Sequence, residues 1–302
     1  MKKSKNKRAR EPKRKDARAH LGPKGRVHLA LYQDPGTSRE QVLLKQPVFS
    51  ESWQNEVALS GAGTVRAMLG AKPSLERLIE LTRKLMDATS RLADGFLARA
   101  PAGSVACSAG CDHCCHQSVG VTPPEALAIW DHVNRSRSEA ELAELAAHVA
   151  ERFEKTRGLS SRERFSPDHP CVFLESGRCS IYEVRPLSCR GMNSLDANEC
   201  RARLRDAEAR AAFLASGAGS RSFMEPIRAF HAVSAGLQLG LHELYELDVR
   251  PLDLVAAMHL LFTSPPSIGQ AWLTRADAFA QVQGGDSTSD HFIRELSGTL
   301  SR

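Results

Sequence analysis

The sequence predicts a mainly α-helical protein built around a cysteine-rich module that contains one small β-hairpin. Two observations favour this fold class: apolar residues recur at helical spacing along most of the chain, and all eight cysteines fall between Cys107 and Cys200. A parallel sheet is not expected, because no part of the chain alternates strand-like and helix-like patterns. The 302 residues suffice for one large domain or two small ones.

The first 26 residues differ from the rest of the chain in charge. They contain twelve of the 41 Lys and Arg residues and two of the 35 acidic residues, for a net charge of +10. The remaining residues carry a net charge of −4, so the overall basicity belongs to this segment. We predict a basic, disordered tail over residues 1–26, because it has too few apolar residues to form a core. It either contacts RNA or the ribosome electrostatically or serves only to keep the protein in solution.

The sequence also predicts where in the cell the protein is located. No apolar run approaches the roughly 18 residues that a membrane span requires, so no membrane span is expected. The chain begins Met-Lys-Lys-Ser-Lys with no apolar stretch after it, which disfavours a secretory signal. Disulfide frameworks belong mainly to short secreted chains, so we expect reduced cysteines in a cytoplasmic protein.

Helical patterns begin after an N-terminal segment, residues 27–73, that we predict to be irregular. Ser74 is placed to cap a helix that reaches about Arg99, because apolar residues recur there at three- and four-residue steps. This helix opens the predicted central unit, residues 74–200, which also contains every cysteine.

Two further helices of the central unit carry clear start signals. Thr122 followed by Glu125, and Ser138 followed by Glu141, have the spacing of capping boxes. Beyond the central unit, residues 201–283 are predicted to be helical and residues 284–302 to be flexible. The individual helices expected in the C-terminal half lie near residues 195–216, 226–239, 251–262 and 267–282.

A short β-hairpin is predicted between two of the cysteines. Apolar residues follow Cys171 and Cys179, and Ser176–Gly177 is a turn signal between them. A hairpin centred on Glu175 would place the two cysteines opposite each other, with β-carbons roughly 4.5–5.5 Å apart. Two thiols at that separation can share one zinc ion.

The cysteines are the strongest functional signal in the chain. Four of them fall within nine residues, a spacing typical of metal ligands rather than of scattered core residues. A deprotonated thiol is a soft anionic ligand for zinc, copper(I) or iron–sulfur iron. We therefore predict a metal site whose candidate ligands are Cys107, Cys111, Cys114, Cys115, Cys171, Cys179, Cys189 and Cys200.

The cysteine pattern also resembles a known family. The run Cys107 to Cys115, together with the pattern Cys-x7-Cys-Ser-Ile-Tyr-Glu-Val-Arg-Pro-Leu-Ser-Cys-Arg that begins at Cys171, is similar to the YkgJ-type cysteine-cluster family. That family is named for a CxxCxxCC motif, and the resemblance covers about residues 104–200. It implies eight cysteine ligands for zinc or iron. Because thiolates suit both metals, the choice between them stays open, and we expect any iron to be held as an iron–sulfur cluster. The chain departs from the motif once, because three residues rather than two separate Cys107 from Cys111.

Eight thiolates exceed what one tetrahedral ion binds. Either a subset forms one site, or two sites or a cluster use most of them. We expect Cys111 and either Cys114 or Cys115 to combine with two of the later cysteines. The candidates to stabilise the ligand sulfurs by hydrogen bonds or charge are His113, His116, His169, Arg185 and Arg190. In the alternatives, one of the first two histidines is a direct ligand, and the two arginines pair with ordinary carboxylates.

Enzyme functions are weaker alternatives. Cys107, Cys111 and Cys114 have the spacing of the cluster motif in radical S-adenosylmethionine enzymes, but no β/α-barrel pattern follows them. The cysteine-cluster family resembles, more distantly, flagellin lysine methylases, so an iron–sulfur-dependent protein-modifying enzyme is the alternative function. No catalytic residue is identified, because the chain contains no Gly-rich phosphate loop, nucleophile elbow or HExxH pair. A zinc protein that binds nucleic acid or the ribosome would depend on the basic tail alone.

Overall fold

The computed structural model describes residues 28–33, 40–216 and 221–282. The predicted tail over residues 1–26 and the predicted flexible C-terminus over residues 284–302 lie outside the described residues. Over the described ranges helices predominate and the strands form two-stranded antiparallel sheets, so the predicted mainly α-helical fold is confirmed. No helix in these ranges combines the length and the hydropathy of a membrane-spanning segment. The division into separate domains stays a prediction.

The N-terminal part of the structure is regular, contrary to the prediction. Strands β1 (Leu29–Gln33) and β2 (Glu40–Leu44) pair antiparallel, and helix α1 spans Ser52–Leu69. The expectation that residues 27–73 are irregular is therefore wrong over these three elements. The physical reason lies in how α1 packs, as described below.

The next helices begin where their capping residues predicted. Helix α2 (Leu75–Leu97) is followed by strand β3 (Gly120–Val121) and by helices α3 (Pro123–Ser136) and α4 (Glu139–Thr156). The Ser74 side chain caps α2. The Glu125 carboxylate accepts hydrogen bonds from the backbone N–H and the hydroxyl of Thr122 (2.9 and 2.7 Å). Ser138 and Glu141 form the same arrangement, so both predicted capping boxes are confirmed.

The predicted hairpin is present, but its register differs from the prediction. It follows the short helix α5 (Ser161–Arg164) and consists of strands β4 (Leu174–Glu175) and β5 (Arg178–Cys179). Ser176 and Gly177 form a two-residue turn with φ values of 49° and 72°, as a type I′ turn requires. Because this turn pairs Leu174 with Cys179, the prediction that Cys171 lies opposite Cys179 is wrong. Cys171 precedes the first strand.

The rest of the described chain is helical, as predicted, but several helices end at other residues. Three of the helices are α6 (Leu187–Gly191), α7 (Ala197–Arg205) and α8 (Ala207–Ser216). They are followed by α9 (Met224–Tyr245), strand β6 (Leu252–Asp253), α10 (Leu254–Thr263) and α11 (Ile268–Leu273). The helix predicted over residues 195–216 is two helices, because extended Asp206 separates them and accepts a bond from the Glu208 N–H (2.8 Å). Helix α10 begins later than predicted, because β6 pairs with β3 and Asp253 caps the helix through the Ala256 N–H (3.0 Å).

Helix α9 lies at the centre of the hydrophobic core. Every residue from Ala232 to Leu241 is buried, so the helix is surrounded on all sides. Helices α1, α2 and α6 pack against it. The contact with α1 is made by small residues, since Ala58 and Gly61 lie directly against Gly236. Small residues carry little hydrophobic periodicity, which is why α1 escaped prediction.

We predict that Gly236→Ala destabilises the protein. A β-carbon at this position would collide with the backbone carbonyl of Ala58 and force α1 away from α9. Overpacking of this kind costs about 1–3 kcal/mol in the free energy of unfolding, which urea denaturation measures. The matched control is Gly63→Ala in α1, where a β-carbon meets no atom within 4 Å. That control should be neutral or stabilise by up to about 1 kcal/mol, and equal effects of the two variants would contradict the packing described.

Candidate metal centre

Separate chain segments bring the eight predicted ligands together. Four cysteines lie in the loop between α2 and β3, which includes a turn of 3-10 helix at His113–His116. Cys171 and Cys179 belong to the hairpin region, Cys189 lies on α6 and Cys200 lies on α7. All eight thiols in the described chain are free of disulfides. The disulfide alternative therefore has no support.

The first cysteine is held to the segment that follows α6. The Ser194 backbone N–H donates a hydrogen bond to the Cys107 sulfur (3.2 Å). Burial raises the pKa of Cys107, and the Ser194 N–H opposes that effect because it stabilises the thiolate. Neighbouring thiols add to the rise in the pKa of Cys107, and they are Cys111, Cys114 and Cys200.

Cys171 is joined to the first cysteine segment through the backbone. The N–H of Cys171 donates to the carbonyl of Cys115 (2.7 Å). Burial raises the pKa of Cys171 to about 12, and the Phe173 backbone N–H opposes this rise. Burial also raises the pKa of Cys179, and there the Ile181 N–H opposes it. In both cases the N–H two residues after the cysteine stabilises a thiolate, which is the form that binds a metal.

Cys189 is positioned by contacts at both ends of α6. The Glu125 carboxylate accepts a hydrogen bond from the Leu187 N–H (2.8 Å) at the start of this helix. At its other end, Gly191 lies so close to α9 that any side chain there would collide with Phe230. Burial raises the pKa of Cys189 well above its usual value. The sulfur is therefore fixed inside the protein by elements distant in sequence.

Seven of the eight thiols fall into two neighbouring groups, and Cys115 belongs to neither. Cys189 feels the charges of three other thiols, each of which raises its pKa further: Cys114, Cys171 and Cys179. We call these four the inner thiols. The others that neighbour Cys107, namely Cys111 and Cys200, line a cavity of about 470 Å³ together with Cys107, and we call these three the cavity thiols. Cys114 also lines the cavity, so solvent reaches this sulfur although protein surrounds it.

The donor set fits a soft metal ion, although the side chains are not yet arranged around one. Among the described residues, no three His, Cys, Asp or Glu side chains stand in positions that would hold an ion. Convergence of the sulfurs requires rotation about their Cα–Cβ bonds, which have three staggered positions. The eight thiols form no disulfide, and backbone N–H groups favour the thiolate form of Cys107, Cys171 and Cys179. The assignment of all eight cysteines as ligands stays a prediction.

Residues 106–207 match the CxxCxxCC family model. The family is described as a "putative zinc- or iron-chelating domain". The match contains all eight cysteines and covers about a third of the 302-residue chain, so the predicted resemblance is confirmed for this segment. Comparisons with curated proteins and with solved structures gave no match. We refer to residues 106–207 as the CxxCxxCC segment.

The two predicted arginines of the CxxCxxCC segment have different roles. The Arg185 cation lowers the pKa of three inner thiols and so opposes the effect of burial: Cys114, Cys179 and Cys189. Arg190 donates to the carbonyls of Glu183 and Arg185 (2.5 and 2.9 Å) and to the Ser90 hydroxyl (2.6 Å). Neither arginine forms an ion pair within the described ranges. Burial lowers the pKa of Arg190, and the charges of Asp87 and Glu125 oppose that effect, so for Arg190 the alternative of a carboxylate partner stays open.

The predicted histidines of the CxxCxxCC segment have ring nitrogens without hydrogen-bond partners. Within the described residues this holds for both nitrogens of His116 and for Nδ1 of His113 and His169. The Asp112 carboxylate lies 3.5 Å from Nδ1 of His113 and 3.9 Å from Nε2 of His116. Burial lowers the pKa of His116 and His169, which favours the neutral ring that can bind a metal. A direct ligand role for His113 or His116 therefore remains an alternative.

Sequence reasoning missed Arg152, a buried cation of the CxxCxxCC segment. Its guanidinium donates to the carbonyl of Asp168 (2.6 Å), and burial lowers its pKa while first the Glu151 carboxylate and then the Cys171 thiol oppose that effect. The signal was available, because Arg152 continues the buried face of α4 that begins with Leu145 and Val149. A charged residue on such a face needs a partner, and here a thiol is one.

We predict that the inner thiols of the metal-free protein react slowly with iodoacetamide. A raised pKa leaves less thiolate at a given pH, and the thiolate is the reacting form. The labelling rate of Cys171 and Cys189 should still rise with pH beyond the ordinary thiol pKa of about 8.5, as burial predicts. Mass spectrometry of labelled peptides over a pH series measures each rate.

The control for this labelling is the same chain unfolded in urea, where all cysteines should titrate near the ordinary value. A rate for Cys171 in the folded protein that levels off at the same pH as in urea would contradict the burial described here.

Proposed function

We propose that this protein chelates zinc or iron through the four inner thiols, and that iron is held as an iron–sulfur cluster. The observation that carries the proposal is the gathering of Cys114, Cys171, Cys179 and Cys189 from three chain segments, with no disulfide among them. Four sulfur ligands are what a closed zinc site or a cluster requires. The inner set differs from the predicted one in using Cys114 with three later cysteines, and in leaving out Cys111.

Charge balance supports this choice of ligands. Four thiolates around a divalent ion carry a net charge of −2, which is costly inside a protein unless cations lie nearby. Arg185 acts on three of the inner thiols, and Arg152 acts on the remaining one, Cys171. Arg190 also lowers the pKa of Cys179, so the chain supplies three cations to the proposed site, and hydrogen bonds to backbone carbonyls hold Arg152 and Arg190 in place.

A bound ion would tie together elements that are distant from one another in the sequence. The inner thiols lie on the 3-10 turn, on the hairpin and on α6. Structural zinc sites contribute roughly 10–16 kcal/mol of folding free energy, which is comparable to the whole net stability of a typical domain, about 5–15 kcal/mol. We therefore expect the ion to stabilise the CxxCxxCC segment as a unit.

Two further assignments stay predictions. An iron–sulfur-dependent protein-modifying enzyme requires a cluster, so the metal analysis below comes first. Contact of residues 1–26 with RNA or the ribosome concerns residues outside the described ranges. We also propose a cytoplasmic location, because a reducing compartment would preserve the free thiols.

The test is anaerobic purification of the full chain followed by elemental analysis and visible spectroscopy. A colourless protein with stoichiometric zinc supports the zinc form, and a brown protein with broad visible absorption supports the cluster. We predict that Cys171→Ser and Cys189→Ser each lose most of the metal, because serine keeps the volume but is a poor ligand for a soft ion.

The matched variant is Cys200→Ser, which changes a cavity thiol and should retain the metal. Equal loss of metal in Cys200→Ser would overturn the assignment to the inner thiols. Neither metal in a near-stoichiometric amount in the unaltered chain would overturn the proposed function itself.

Arg185 provides a second test. We predict that Arg185→Gln weakens metal binding about 10- to 100-fold, as loss of a residue that supports ligand sulfurs typically does. Competition against a chromophoric chelator measures the affinity. The control is Arg178→Gln, since Arg178 is an exposed arginine of the hairpin and, unlike Arg185, is not a cause of the pKa shifts of Cys114, Cys179 and Cys189. Equal affinities of the two variants would contradict the role of Arg185.

A further inference from the structure

The cavity beside the cysteines has a largely apolar lining. Its volume of about 470 Å³ lies in the range of small-molecule sites, roughly 300–1,000 Å³. Besides the thiols, its apolar lining residues are Phe165, Met192, Phe213, Leu214, Met224 and Ile227. Such a lining next to reactive groups is typical of a binding site for an organic molecule.

Helix α8 is arranged as one side of this cavity rather than as a core helix. No residue of α8 is buried, and its two large apolar side chains, Phe213 and Leu214, both face the cavity. Met224, which also lines the cavity, is 45% exposed. Large apolar side chains concentrated around a cavity, and not covered by the protein itself, mark a surface that a ligand can cover.

The charges around the cavity favour an anion. Arg162 and Arg203 contribute to the lining, and among the described lining residues there is no carboxylate. Arg203 is occupied, because it pairs with Glu199 and stacks on the Phe213 ring (3.6 Å). Arg162, in contrast, forms no ion pair with any described residue.

A second polar group adjoins Arg162. Ser161 lines the cavity, and its hydroxyl oxygen, which points away from solvent, has no hydrogen-bond partner among the described residues. An unsatisfied buried hydroxyl costs free energy, and a ligand oxygen would satisfy it. The guanidinium and the hydroxyl together offer donors to a carboxylate or sulfonate group.

We propose that this cavity binds a small organic anion with an apolar body. The body lies against Phe213 and Leu214, and its carboxylate or sulfonate lies at Ser161 and Arg162. The ligand would then sit beside the cavity thiols. This proposal goes beyond the metal site, because none of these four residues is a proposed metal ligand.

The experiment uses two fluorescent probes on the full chain as purified. One is 1-anilinonaphthalene-8-sulfonate, which carries the anionic group, and the other is N-phenyl-1-naphthylamine, which is uncharged and has the same aromatic body. We expect one equivalent of the anionic probe to bind. Arg162→Gln should weaken its binding about tenfold, the size of one charge-assisted hydrogen bond, and leave the uncharged probe unaffected. Leu214→Glu should weaken the anionic probe more, because it adds a carboxylate to an apolar wall.

The matched controls are Ala211→Glu, at an exposed position of the same helix, and Arg91→Gln, at an exposed position of α2. Both should bind the anionic probe as the unaltered chain does. Multiple equivalents of bound probe, or equal affinities in Leu214→Glu and Ala211→Glu, would overturn the site. Unchanged affinity in Arg162→Gln would overturn its preference for anions. The metal content of each sample is measured in parallel, so a failure of the metal proposal is recognised separately.

Discussion

The buried carboxylate of Glu125 is the interaction on which the arrangement of the site depends. Burial raises its pKa, and hydrogen bonds from the backbone of Leu187 and from Thr122 oppose that rise. The bonds to Thr122 start α3, while the bond to Leu187 fixes α6 beside it. Since each donor satisfies a charge that would be costly to leave unpaired, the two helices hold one relative position. Cys189 is placed by this link.

The metal centre illustrates how a local motif is completed by distant parts of the chain. The short run of cysteines supplies one inner thiol, Cys114, and the other three arrive on the hairpin and on α6. Backbone bonds connect these parts directly, such as that from Cys171 to Cys115. The same sulfurs experience opposite influences: burial disfavours their charged form, whereas N–H groups and Arg185 favour it. A bound metal ion would stabilise the thiolate form of these cysteines.

One cysteine motif therefore serves two environments. Three of the inner thiols, Cys171, Cys179 and Cys189, belong to half-buried residues, whereas the cavity thiols face a space bounded partly by α8. Cys114 is an inner thiol that also lines the cavity, so any ion held by the inner set would lie beside the cavity. A helix that buries none of its residues, as α8 does, leaves this side less tightly packed than the core around α9.

The sequence by itself determined the features that depend on local chemistry. Capping boxes at Thr122 and Ser138 predicted two helix starts, because a cap involves residues three apart, and the cysteine spacing predicted the matched segment. The tertiary structure decided the rest. Helix α1 owes its place to close contact between small residues, which leave no periodic signal. The two-residue turn set the hairpin register, and only the folded chain shows that Arg152 and Cys171 influence each other electrostatically, because long-range interactions are not encoded in any local pattern.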